Sequence, residues 1–217
     1  MSPSQPLDPS FVPSSFALVR EIQETVIRRW HQAEDSITDW QSALSALPAR
    51  QAEGWAATCE RLQLINTFQW HEEDKSRNHG VGDEQLGAIK RSIDASNRRR
   101  VQTVDSLDDI IFTGLRQGGA LNEDAPLNSE SPGSIIDRLS VLMLKHYHVA
   151  EANRQLEGEE AVVMGDRLAT LAEQIQDLGA CLDRLLQEIA QGKVRIKFYR
   201  QVKVYVDPRT GAIKSDL

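Results

Sequence analysis

The chain has 217 residues, with 25 basic and 32 acidic side chains and a formal net charge of -7. At 40% hydrophobic and 26% charged residues it matches one soluble globular domain, which excludes a disordered chain, a collagen-like repeat and a disulfide scaffold. No run approaches the roughly 18–20 apolar residues of a membrane helix. Bulk nucleic-acid binding is not expected either, because the total charge has the wrong sign for phosphate.

Four of the eight prolines, Pro3, Pro6, Pro9 and Pro13, crowd residues 1–13. Fixed φ angles at that density do not build a helix, so this segment reads as a flexible arm. It lacks the basic head and apolar stretch of an export signal. Residues 14–191 read as a helical bundle domain and 192–217 as an extended tail. Cys59 and Cys181 fall in helical patterns without a CxxC pair and read as buried thiols. Together these features predict a protein of the reducing cytoplasm.

Five long helices are predicted in chain order. The first spans about 15–47, on Phe16, Val19, Ile22, Val26, Trp30 and Ile37, and ends at Pro48. The second spans about 52–78 and the third about 83–117, stopped by Gly118 and Gly119. The fourth starts where Ser131 can cap and Pro132 suits the first helical position, and runs to about 157. The fifth runs from about 159 to 191. It carries Leu168, Leu171, Ile175, Leu178, Leu182, Leu185 and Ile189 at alternating spacings of three and four. That seam serves equally a core of the chain's own bundle or a homodimer. The fold class is therefore all-α: a bundle with an extended basic tail. Along the tail Val194, Ile196, Phe198, Val202, Val204 and Val206 alternate with polar residues, the pattern of a strand. It holds five basic and no acidic residues between Gly192 and Val206. Such a strand must pair with itself, with another subunit or with the bundle.

Three segments place polar groups on faces that should be buried. The first contains Trp70, His71, Glu72, Glu73, Asp74, Lys75, Ser76 and Arg77. Its apolar stripe of Leu62, Ile65 and Phe68 runs into Glu72, and His71 and Asp74 are three apart on one face. In the second, the stripe Leu86, Ile89, Ile93 continues to Asn97 and Arg100, which would need buried partners. In the third, Asp137, Leu144 and His148 share one stripe with Lys145 beside it. An acid, a base and a cation on an apolar face are costly without partners.

As they stand, these motifs are WHEEDKSR, IDASNRRR and ESPGSIIDRLSVLMLKHYH. In that order, with the ending KFYRQVKVYVDP, the chain resembles the bacterial domain-of-unknown-function family 4254 from about Ala52 onward. The resemblance implies a mostly helical cytoplasmic protein without an assigned activity, associated with glycosyltransferase genes. Its pattern falls on His71, Glu72, Glu73, Asp74 and Arg77, then on Asp94, Asn97 and Arg100. It falls further on Glu130, Pro132, Gly133, Asp137, Arg138, Lys145 and His148.

Two classes of function fit. One is an enzyme or binding protein for a phosphorylated, sugar-containing small molecule. Arg77, Arg100 and Lys145 would hold the phosphate, with Glu72 and Asn97 completing the ligand site. His71 or His148 would be the general base, oriented by Asp74 or Asp137. A metal variant uses His71 with Asp74 and His148 with Glu151, two His-x-x-acid pairs on two helices. No cofactor is specified by the sequence. The other class is a non-enzymatic interaction protein working through the heptad seam and the basic tail, its motif residues forming a buried network. No phosphate-binding loop, dinucleotide fingerprint, HExxH or GxSxG elbow is present.

Overall fold

The computed structural model describes residues 15–78, 80–119, 121–197, 204–206, 209–210 and 213–215. The Pro-rich arm of residues 1–13 and part of the alternating tail lie outside them. The protein is an all-α bundle of six helices: α1 (Phe16–Ala33), α2 (Trp40–Ala46), α3 (Gly54–Ser76), α4 (Asp83–Gln117), α5 (Pro132–Asn153) and α6 (Gly158–Ala190). Two three-residue strands, β1 (Val204–Val206) and β2 (Ile213–Ser215), pair antiparallel in the tail.

The single helix expected over 15–47 is two. A 3₁₀ turn at Glu34–Ser36 ends the first, and Asp39 starts the second with a capping box. The Ser42 N–H donates to Asp39 Oδ1 at 2.8 Å, and the Asp39 N–H donates back to Ser42 Oγ at 2.9 Å. Reciprocal satisfaction of free donors lets so short a helix begin on its own. The fourth predicted helix also stops early, at Asn153, and Gly158 opens α6 at φ +64 instead of merely closing α5.

α1, α3 and α5 run parallel, as three contacts at successive levels show. Gln23 Nε2 of α1 donates to the Ile136 carbonyl of α5 at 3.0 Å, and Asn66 of α3 reaches Asp137 of α5. Farther along the same helices, His31, His71 and His148 meet. α4 and α6 return antiparallel against α3 and α5. The main core joins Val19 and Ile27 of α1, Leu62 of α3, Leu107 and Ile111 of α4, Leu139 and Leu144 of α5 and Leu182 of α6. A smaller cluster packs α2 on Trp30, Leu64 and Phe68.

The heptad seam divides. Ile175, Leu182, Leu185 and Ile189 are buried inside this chain, whereas Leu168 and Leu171 are only partly covered. Beyond Gly192, the Arg195 N–H donates to the Pro126 carbonyl at 2.9 Å and its own carbonyl accepts from Asn128 at 2.8 Å. The start of the tail therefore lies along the 120s loop, and β1 finds its partner in β2.

Candidate metal centre

The motif residues form two groups, separated along α5 by the eleven positions between Asp137 and His148, about 16 Å of helix.

The first group is a closed polar clasp. Arg100 of α4 grips Asp137 of α5 with two nitrogens, Nε at 2.9 Å from Oδ1 and Nη2 at 2.7 Å from Oδ2. Asn66 of α3 donates to the same Asp137 at 2.9 Å and to Ser140 Oγ at 2.7 Å. A planar guanidinium facing a carboxylate in this way is the strong form of ion pair. Here it joins three helices. Asn97 is exposed on α4; the buried stripe turns instead through Ser96. Ser96, three after Ile93, lies on the side facing α3, where its Oγ bonds to the Ile65 carbonyl. Glu72 is buried and accepts from Lys75 Nζ at 2.7 Å, while Asp74 pairs with Arg77 at 2.7 Å on the surface. Lys145 is exposed. Glu151 pairs with Arg154.

The second group is built from three histidines. His31, His71 and His148 each bring one ligand nitrogen within 4.8 Å of those of the other two. Their ring centroids are 5.1–5.5 Å apart. The Nε2 atoms of all three are buried and lack any hydrogen-bond partner. Such groups are uncommon and call for an explanation. In His31 and His71 the opposite nitrogen is engaged. His31 Nδ1 lies 2.8 Å from the Ile27 carbonyl and so donates to it. His71 Nδ1 faces Glu34 Oε1 at 3.4 Å. A donor bond at Nδ1 leaves the Nε2 lone pair free, the arrangement found behind metal-bound imidazoles.

Each histidine follows an aromatic residue: Trp30-His31, Trp70-His71 and Tyr147-His148. The aromatic rings interleave in a cycle. Trp30 of α1 stacks on His71 of α3 at 5.2 Å, and Trp70 of α3 stacks on His148 of α5 at 5.0 Å. Tyr147 of α5 packs on His31 of α1 at 4.2 Å. This apolar wall, with the neighbouring imidazoles, sets the protonation. Burial first, then His31, pushes the His71 pKa down to about 4. Burial, then His71 and His31, pushes His148 to about 4 as well. Both rings are neutral at pH 7, the form that binds metal.

His31 stands in the last turn of α1, where the helix dipole favours positive charge, whereas His71 and His148 each lie five residues before the end of their helices. Three imidazoles with an open position suit zinc or another late transition ion and do not suit magnesium or calcium. Around a zinc ion, nitrogens at about 2.0–2.1 Å would sit roughly 3.3 Å apart, so a trio now within 4.8 Å would close by up to about 1.5 Å on binding.

Of the residues singled out from sequence, the structure unites His71 with His148 and Arg100 with Asp137. It leaves Asp74, Asn97, Lys145 and Glu151 outside both groups. The motifs do not mark His31, Glu34 or Tyr147 as site residues, and Trp30 enters the sequence reading only as part of the apolar stripe of α1. Their signal was the aromatic-His dipeptide occurring three times, each beside a buried helical stripe.

Residues 56–198 match the family described as protein of unknown function, DUF4254. No curated protein and no solved structure matches the chain. The match takes in α3 to α6, the clasp and two of the three histidines, and the chain belongs to this family of unknown function.

Proposed function

We propose that the protein is metal-dependent, holding one divalent transition ion on His31, His71 and His148. The observation that carries this is that histidines from three helices each bring one ring nitrogen within 4.8 Å of the other two, while the Nε2 of each is buried without a hydrogen-bond partner. Three neutral ligands leave the ion its full positive charge and at least one open position. An ion so placed polarises a bound oxygen and lowers the pKa of bound water toward 7. The reaction class is hydrolysis or group transfer on a substrate with an anionic oxygen, of which a phosphorylated sugar is one example. Lys145, one turn before His148 on α5, is the exposed cation best placed to meet that anion.

In this reading His71 and His148 are ligands, since groups titrating near 4 are weak bases for chemistry at neutral pH. Glu34 positions His71. Arg100 and Asp137 hold α4 and α5 in register.

The test is metal analysis of chelator-stripped protein titrated with zinc or cobalt(II). One equivalent should bind, and cobalt should give the intense visible bands of a four-coordinate site. His31→Ala, His71→Ala and His148→Ala should each abolish the bands. Wild-type protein that binds no more metal than these variants would end the proposal.

A second reading is favoured by α6. Val162 and Val163 are 65% and 53% exposed, ahead of the half-covered Leu168 and Leu171. We propose that this end of the helix associates with a second copy. Light scattering on wild type and on Val163→Glu would show a dimer becoming a monomer; a monomer in both would exclude it.

A further inference from the structure

A separate feature lies where α1, α2 and α3 meet the 47–53 connection, a cleft of about 370 Å³. Val26, Leu44, Leu47, Leu64 and Ile110 supply its apolar lining, and Arg29 and Arg61 stand on its wall, Arg29 donating to the Pro48 carbonyl at 2.9 Å; Arg98 and Arg99 flank the Arg61 end from outside the lining. The Arg61 end is strongly basic. Ser96 Oγ of α4 bonds to the Ile65 carbonyl of α3, and the two helices run antiparallel. Four residues back on α3 and three or four residues on along α4 therefore lie at one level, which sets Arg61 beside the run Arg98–Arg100. Arg100 belongs to Asp137. Arg99 lies 4.8 Å over the Trp40 ring, and Arg98 is exposed. Among the described residues no carboxylate pairs with Arg61, Arg98 or Arg99.

Like charges held together without a counter-ion raise one another's energy. Burial first, then Arg98 and Arg61, holds the Arg99 guanidinium below its ordinary pKa. On a chain of net charge -7, Arg99 with Arg98 and Arg61 on either hand is a local reversal of sign. The acids near the cleft do not cancel them. Glu60 is buried and bound by the Arg50 N–H and Nε at 2.8 and 2.7 Å, and Glu53 stands at the opposite end, beside Gly54.

We propose that this cleft binds a small amphipathic anion. A phosphate or carboxylate head sits on Arg61, Arg98 and Arg99, and an apolar body lies on Val26, Leu44 and Leu64. The cleft volume of about 370 Å³ is enough for a medium alkyl chain. Trp40, under Arg99, stands one turn before the lining residue Leu44 on α2. The proposal is independent of the metal centre.

Calorimetry with the full chain and octyl phosphate, below its micellar concentration, tests it against inorganic phosphate and octyl glucoside. Octyl phosphate should bind one to one, roughly tenfold or more tighter than either half-ligand, because head and body each contribute. Arg61→Gln and Arg99→Gln should each weaken it about fivefold or more, whereas Arg167→Gln on α6 should not change it. These arginines are exposed or half-exposed, and circular dichroism would confirm that the variants fold. Equal binding to wild type and the glutamine variants would overturn the proposal. So would several ligands per chain, or inorganic phosphate binding as tightly as octyl phosphate.

Discussion

Two histidines held near pKa 4 link this protein's stability to pH. Above pH 6.5 the imidazoles are neutral in both folded and unfolded chains and contribute no proton linkage. As pH falls from 6.5 toward 4, the unfolded chain takes up protons that the folded one refuses, so folding weakens. The urea midpoint of metal-free protein should therefore drop across that window, and His71→Gln with His148→Gln should flatten the slope. An unchanged slope would mean that the cluster stays solvated. The clasp makes a different prediction. Arg100→Ala leaves Asp137, 14% exposed, with only Asn66, and should cost about 2–4 kcal/mol in denaturant unfolding. Arg100→Lys should recover part of this, because a point charge cannot form both bonds. At this scale the sequence marks Arg100, Asp137 and His148 as polar residues on apolar faces, and His71 as one half of a His-x-x-Asp pair beside such a face. It did not show which would meet. His31 was overlooked because it lies beside the Trp30 stripe, one residue off, and only the interlocking of three helices gives it a role.

Helix limits were legible wherever glycine or proline punctuates the chain. α4 was expected over 83–117 and is found there, and α3, expected over 52–78, spans Gly54–Ser76. The break after α1 was missed because apolar spacing persists through Ile37 while the capping box at Asp39 decides the local outcome. Contacts between elements depend on two glycines. A Cβ on Gly179 of α6 would lie 2.3 Å from the Phe16 ring of α1, and one on Gly133 would lie 2.6 Å from Asp108 Oδ1. The former allows Phe16 to reach α6, where its N–H donates to Asp183 at 2.6 Å. The latter lets the Asp108 carboxylate take the Gly133 N–H at 2.6 Å and the Ser131 hydroxyl, tying α4 to the start of α5. Gly179→Ala should cost about 1–3 kcal/mol, with partial recovery in the double variant with Phe16→Leu. Thermal melts of the two variants would show it, and full stability of Gly179→Ala alone would refute the close fit.

At the scale of the whole molecule, the proposed metal centre would tie together residues 31, 71 and 148, which lie far apart in sequence. An ion bound only to the folded form adds stability by mass action, about 2.7 kcal/mol at a hundredfold excess over its dissociation constant. Zinc should therefore raise the melting temperature of wild type, a chelator should reverse it, and His31→Ala should not respond. The class of fold was plain from helical periodicity, since amphipathic stripes need only the local chain. The parallel alignment of α1, α3 and α5 was not, because nothing in a periodic stripe says which helix lies beside which. The interleaved rings supply that information in another form. In each of the three parallel helices the aromatic residue precedes its histidine, so it is displaced about 100° around the axis in the same sense. Going round the bundle, each aromatic ring must fall on the next helix in one rotational direction only. If the three helices were arranged in mirror-image order, the same side chains would point the other way round the circle. Trp30 would then meet His148, Trp70 would meet His31, and the smaller Tyr147 would be left to cover His71. The cycle thus acts as a handedness check, distinguishing two bundle topologies that periodicity alone leaves alike.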